Sequence, residues 1–259
     1  MMNSPFLLLI CWMLVFTSQS FAQNSASPTQ TLGIQLGYDR TFFQDANFSP
    51  LHYGGDGLAF RISYAKETAG RHLFLTEIGY AQVKLQAAAA RFAEAQNVVG
   101  HLRAHYLLPI GGNQQRISMK LGGGLVSHID NTIFEDSDAI SYLNLHGIEV
   151  AYLVAYQLSP RHHLQATASL PIIGLLVRPP YTGWDVDSFE RSGLELAYRG
   201  KLTSFQDFFG LTLAASYRYQ MSGRISWEMQ GRWQYYQTSQ LTAATTAHLQ
   251  LSGGAVISL

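Results

Sequence analysis

His128 and Asp130, in the stretch LVSHIDN, invite a chemical reading. An imidazole beside a carboxylate is the base-and-orienter half of a hydrolytic site, which needs a nucleophile within reach. On a strand the two side chains share a face, about 7 Å apart by the strand rise. The plainer reading is solvated polar structure at the rim of a sheet. Metal chemistry has less support. His101 and His105 share a face but stand about 13 Å apart along a strand, and the neighbours His162 and His163 point to opposite faces. No Cys/His spacing fits a zinc site. The expectation is no metal and no cofactor.

A second set of chemically capable residues is larger. Arg61, Arg103, Lys120, Arg218 and Arg232, with Glu77, Glu149 and Glu228, all fall on the polar side of segments that alternate with period two. ISWEMQGRWQYYQ is the clearest. Ile225, Trp227, Met229, Trp233 and Tyr235 take one face, and Ser226, Glu228, Gln230, Arg232 and Gln234 the other. The same alternation recurs from Thr31 to Leu259 in ten segments, and apolar residues at i, i+2, i+4 would circle a helix instead of striping it. Only QAAAARFAEAQ (Gln86–Gln96) has helix-forming composition, suited to a short loop helix.

Composition narrows the classes. The chain has 259 residues, 13% charged, with a formal net charge of zero, so it lacks the basic excess of a nucleic-acid binder. FLLLICWMLVF (Phe6–Phe16) followed by Ser20-Phe21-Ala22 reads as an export signal cleaved after Ala22. The one cysteine, Cys11, lies within it, which leaves residues 23–259 without thiol or disulfide chemistry. No later stretch is apolar for long enough to be a transmembrane helix.

The connections between segments alternate in length. KETAG, PIGGNQQ, LSPR and MSGR are short. QDANFSPLHYGGDG, the Ala-rich segment, DNTIFEDSDAIS, the region from Leu170 to Asp207, and QTSQLTAAT are long. Short turns on one side and long loops on the other make an up-and-down membrane barrel, with apolar side chains toward lipid and polar ones toward the lumen. With its export signal, the turns YQLSPR and YQMSGR and the closing strand LQLSGGAVISL, the chain resembles the small outer-membrane β-barrel proteins of Gram-negative bacteria, particularly those of Bacteroidota type. It departs from them in ending on Leu259, where such barrels often end in an aromatic. The resemblance implies an outer-membrane location and contact with lipid and the barrel-assembly machinery.

The expected architecture is therefore all-β: a transmembrane antiparallel barrel of about ten strands with one long extracellular loop region. In that loop Arg178, Tyr181 and Trp184 are natural anchors for a partner. The eight lumen charges form either a structural plug or the lining of a narrow, porin-like passage. The leading functional expectation is a non-enzymatic membrane protein, a passage or a loop-displayed binding surface. The alternatives are a rim-sited hydrolase using His128 and Asp130, and a soluble periplasmic barrel binding a small ligand.

Overall fold

The alternation becomes strand throughout the computed structural model, which describes residues 29–89, 93–111, 116–135, 140–178, 200–239 and 243–259. The elements are β1 (Thr29–Asp45), β2 (Ser49–Glu67), β3 (Leu73–Ala87), β4 (Glu94–Pro109), β5 (Ile117–Phe134), β6 (Ile140–Tyr142), β7 (Asn144–Ser159), β8 (His162–Val177), β9 (Lys201–Ser204), β10 (Phe208–Gln220), β11 (Ile225–Thr238) and β12 (Ala244–Ser258). The signal segment, residues 1–22, lies outside the described residues, as do Tyr181 and Trp184.

Ten long strands form the wall, each antiparallel to its neighbours, and β6 and β9 are short additions beside β5 and β8. Two pairings close the sheet into a barrel. β12 returns to β1 (Thr31↔Ser258 through Asp45↔Ala244), and β8 pairs β10 (Ser169↔Thr212 through His162↔Tyr219). Closure leaves no open edge along the wall, which backbone in lipid requires because nothing there can satisfy an unpaired amide. The turns at residues 68–72, 160–161 and 221–224, and the ends of β4 at Pro109 and β5 at Ile117, share one end with both ends of the described chain. Short turns mark the periplasmic end of such a barrel.

Over most of its height the barrel is inside-out. Leu36 is 69% exposed, Leu58 78% and Leu251 58% on the outer face, while Gln35, Asp39, Arg61 and Gln250 are buried inside. The soluble alternative is thereby overturned, because a water-facing wall would not carry a continuous apolar belt of this kind. The closed barrel with a lipid-facing belt is the outer-membrane type, and the outer membrane is its location.

Above the belt the polarity reverses. On β3 the outward residues change from Phe74, Ile78 and Tyr80 to Gln82, Lys84 and Gln86, and the buried ones become Ala81, Val83, Leu85 and Ala87. The strands thus outrun the hydrocarbon and finish as an ordinary water-facing barrel with an apolar core. This corrects two expectations. Residues Gln86–Ala87 and Glu94–Gln96 of the helical candidate are strand, pairing Leu85↔Ala95 and Gln86↔Glu94. The long loop QDANFSPLHYGGDG is mostly β1 and β2, which turn tightly at Ala46–Phe48. In both cases side chains buried in the upper core outweigh the local composition.

Candidate functional site

The lumen is organised in tiers. Nearest the periplasm, Arg218 donates to Glu228 Oε2 at 2.8 Å, and Gln35 donates to Glu228 Oε1 at 2.6 Å. Arg61 reaches across to Gln35 and to Ser252 Oγ at 3.0 Å. Lys120 pairs with Glu67 at 2.6 Å on the other side.

The next tier centres on Glu77. Arg232 on β11 engages both of its carboxylate oxygens, His101 Nε2 lies 2.8 Å from Oε1, and Arg61 stands 3.7 Å from Oε2. Arg103 crosses from β4 to donate to Thr212 on β10 at 2.8 Å and Tyr236 on β11 at 3.0 Å. Glu149 sits at a β-bulge on β7, 2.5 Å from His105 Nε2 and 3.6 Å from Arg103 Nε. A bulge re-aims a side chain, here toward the axis. The room for His101 comes from an inward glycine, since a Cβ on Gly79 would overlap its imidazole ring. Gly79→Val is therefore expected to push His101 off Glu77 and to cost about 1–3 kcal/mol by overpacking, read as a lower urea midpoint for the barrel in lipid vesicles.

Above this belt lies the third tier, fully buried. His248 on β12 faces Asp39, Thr41, His128 and Asp130. Two apolar clusters roof it. One is Phe43, Tyr53, Val83, Leu85 and Phe134 with Phe48 packed on top, and the other is Leu143, Leu145, Leu176, Phe208 and Tyr236. Asp45 ties the roof together, accepting from Arg178 at 2.8 Å and Ser141 at 2.7 Å.

Below the belt the lumen opens into a chamber of about 430 Å³. Thr29, Glu67, Arg71 and Gln157 line its mouth at the short-turn end, and Arg61, Glu77, Arg103 and Arg232 form its inner wall. Its lining holds seven Arg or Lys against three Glu.

All eight charges of the polar-face set point inward, and the tiers above bring seven of them into ion pairs with one another; Lys120 instead pairs with Glu67. The rim placement of His128 and Asp130 is corrected: they are 0% and 2% exposed, beneath the roof, because β5 continues past them to Phe134. Arg178 is corrected too, being a buried partner of Asp45 instead of a surface anchor. Sequence reasoning missed Tyr236, Asp39 and Gln35 as members of the network. Their inward parity was the available signal, but their partners lie on other strands, β12 and β2 beside β1 for Asp39 and Gln35, and β4 across the barrel for Tyr236.

No family model matches the chain, and no curated protein does. Among solved structures it is similar to Neisserial surface protein A, at 11% identity and TM-score 0.38 over 87% of this chain and 96% of that one. It is also similar to the outer membrane protease OmpT from Escherichia coli, at 10% identity and TM-score 0.41 over 93% and 99%. A third is the transport unit of the autotransporter AIDA-I from Escherichia coli, at 8% identity and TM-score 0.42 over 95% and 96%. These are likenesses of outline, and the fold rests on the strand pairing itself.

Proposed function

We propose that this protein is a non-conducting, non-enzymatic outer-membrane barrel that holds a small anionic solute in its periplasm-facing chamber. The observation that carries this reading is the one-ended lumen. Glu77 with Arg232, Arg61 and His101, and Glu149 with Arg103 and His105, occupy the cross-section midway. Among the described residues, buried polar tiers and two apolar clusters lie above. A barrel of ten strands is narrow enough for side chains to fill. The chamber below falls in the size range of small-molecule sites, and its cationic excess raises the local concentration of anions. The hydrolase alternative loses support because His128 and Asp130 are buried beneath the roof. Outer-membrane lipid and the barrel-assembly machinery are the partners of such a protein.

Because the only cysteine is Cys11, introduced thiols report cleanly on access. Thr167→Cys in the chamber is expected to react with an anionic methanethiosulfonate about ten times faster than with a cationic one. Thr246→Cys, 1% exposed in the upper lumen, is expected to react with neither, and the wild-type barrel to give no steady conductance in planar bilayers. Equal labelling at the two positions, or a steady conductance, would overturn the one-ended reading. A preference for the cationic reagent at Thr167→Cys would overturn the anionic one.

A further inference from the structure

We propose that His128, Asp130 and His248 form a binding site for one divalent transition-metal ion of the zinc class, which braces the barrel across its lumen. The candidate donor atoms of these three residues lie within 4.8 Å of one another, and all three residues are buried. Metal–ligand bonds of about 2.0–2.2 Å place tetrahedral donors roughly 3.3–3.6 Å apart, which small side-chain rotations reach from here. The set of two imidazoles and one carboxylate suits zinc and its first-row neighbours and leaves one position for water.

Three further observations point to a ligand. The first is His128 itself. Its ring stacks on Tyr236 at 4.3 Å, yet neither ring nitrogen has a hydrogen-bond partner among the described residues, although the residue is 0% exposed. A buried imidazole that leaves both nitrogens unpaired is costly unless something else meets one of them.

The second is the orientation of His248. Nδ1 lies 2.8 Å from Thr41 Oγ1, and Thr41 donates onward to Asp39 Oδ1 at 2.8 Å. This relay places an acceptor against Nδ1, so that His248 can keep that proton while Nε2, 3.4 Å from Asp130 Oδ2, is the nitrogen free to exchange its own for a metal ion. Metal-bound histidines characteristically spend their other nitrogen on such a partner, and ligating carboxylates are themselves hydrogen-bonded. Asp130 fits this pattern, with Asn97 donating to its other oxygen at 2.5 Å.

The third is charge. Among the described residues, His248 is the one basic group in ion-pair range of either Asp39 or Asp130. Two buried carboxylates with one imidazole leave net negative charge in a dry space, where charge needs compensation. A divalent cation supplies it. β5 and β12 stand on different sides of the barrel, so the ion would hold together strands that the wall does not pair directly. The roof excludes exchange with solvent, so loading accompanies folding.

The test refolds the tag-free wild-type barrel from urea into detergent with Co²⁺ and removes loose ion by gel filtration. The expected result is one Co²⁺ per heat-modifiable chain, with the intense visible absorption of a four-coordinate site. X-ray absorption should resolve two imidazoles and oxygen donors. His128→Gln should remove the signal, and Asp39→Asn should weaken the affinity about 10–100-fold by disturbing the hydrogen bonds behind His248. Folded wild type that takes up no Co²⁺ overturns the proposal, because His248 is then an imidazolium shared by the two carboxylates. A first shell without two imidazoles overturns it also, even where the His128 variant fails to fold. Uptake unchanged in folded His128→Gln would place the ion elsewhere and refute this site.

Discussion

Replacing Glu77 by Ala is expected to cost the barrel about 3–5 kcal/mol, the range for breaking a buried ion pair from one side. The deletion leaves Arg232 and Arg61 facing each other across the lumen, both buried, with His101 also deprived of its acceptor. Glu149 is committed to Arg103 and His105 and does not move to replace it. The check is a urea titration of the barrel in lipid vesicles, followed by tryptophan fluorescence and the heat-dependent gel shift. Asp56→Ala is the matched control, since its pair with Arg40 is about half exposed on both sides and such pairs are worth about 0–1 kcal/mol. Equal losses in the two variants would show that the Glu77 tier carries no special share of the stability.

Much of this arrangement was legible in the sequence, and the part that was not has a common cause. Period-two parity gave the ten wall strands and the side on which Arg61, Glu77, Arg103 and Arg232 lie, because an inward or outward choice is local to each strand. Parity does not say which inward residues meet. His128 and Asp130 were visible as a pair because they are two residues apart, whereas His248 joins them only because β12 closes onto β1. The spacing rules for metal sites look along the chain, and this cluster is assembled across it.

The height of the barrel was misread for a different reason. Alternation continues through residues 81–87 while its sense inverts, from apolar-out to apolar-in. Read by polarity alone, KLQAAAARFAEAQ loses its stripe, and the alanines suggest helix. The pairing Val83↔Asn97 and Leu85↔Ala95 restores the strand by burying Val83, Leu85 and Ala95 against Phe43 and Phe134. The same inversion hid the roof. Phe134, read as part of a long loop, packs with Phe43 in the cluster that roofs the lumen.

That inversion also sets up the second large effect. Leu36→Arg is expected to destabilise the barrel in lipid by about 2–4 kcal/mol, the cost of a cation at mid-depth on a lipid-facing wall. Leu36 stands in the middle of the outward run from Leu32 to Phe42, opposite Phe60 in the register, and is 69% exposed. In a barrel surrounded by water the same substitution at so exposed a site would change stability by no more than about 0.5 kcal/mol. Gln82→Arg, on the outward face just above Tyr80, is expected to be silent in lipid, because there the wall already faces water. The comparison is made by urea unfolding in vesicles of phosphatidylcholine. A large loss at Leu36 with none at Gln82 locates the upper edge of the hydrocarbon between the two levels. Equal and small effects would mean that no lipid surrounds the belt, and the outward leucines would then need a protein partner to cover them.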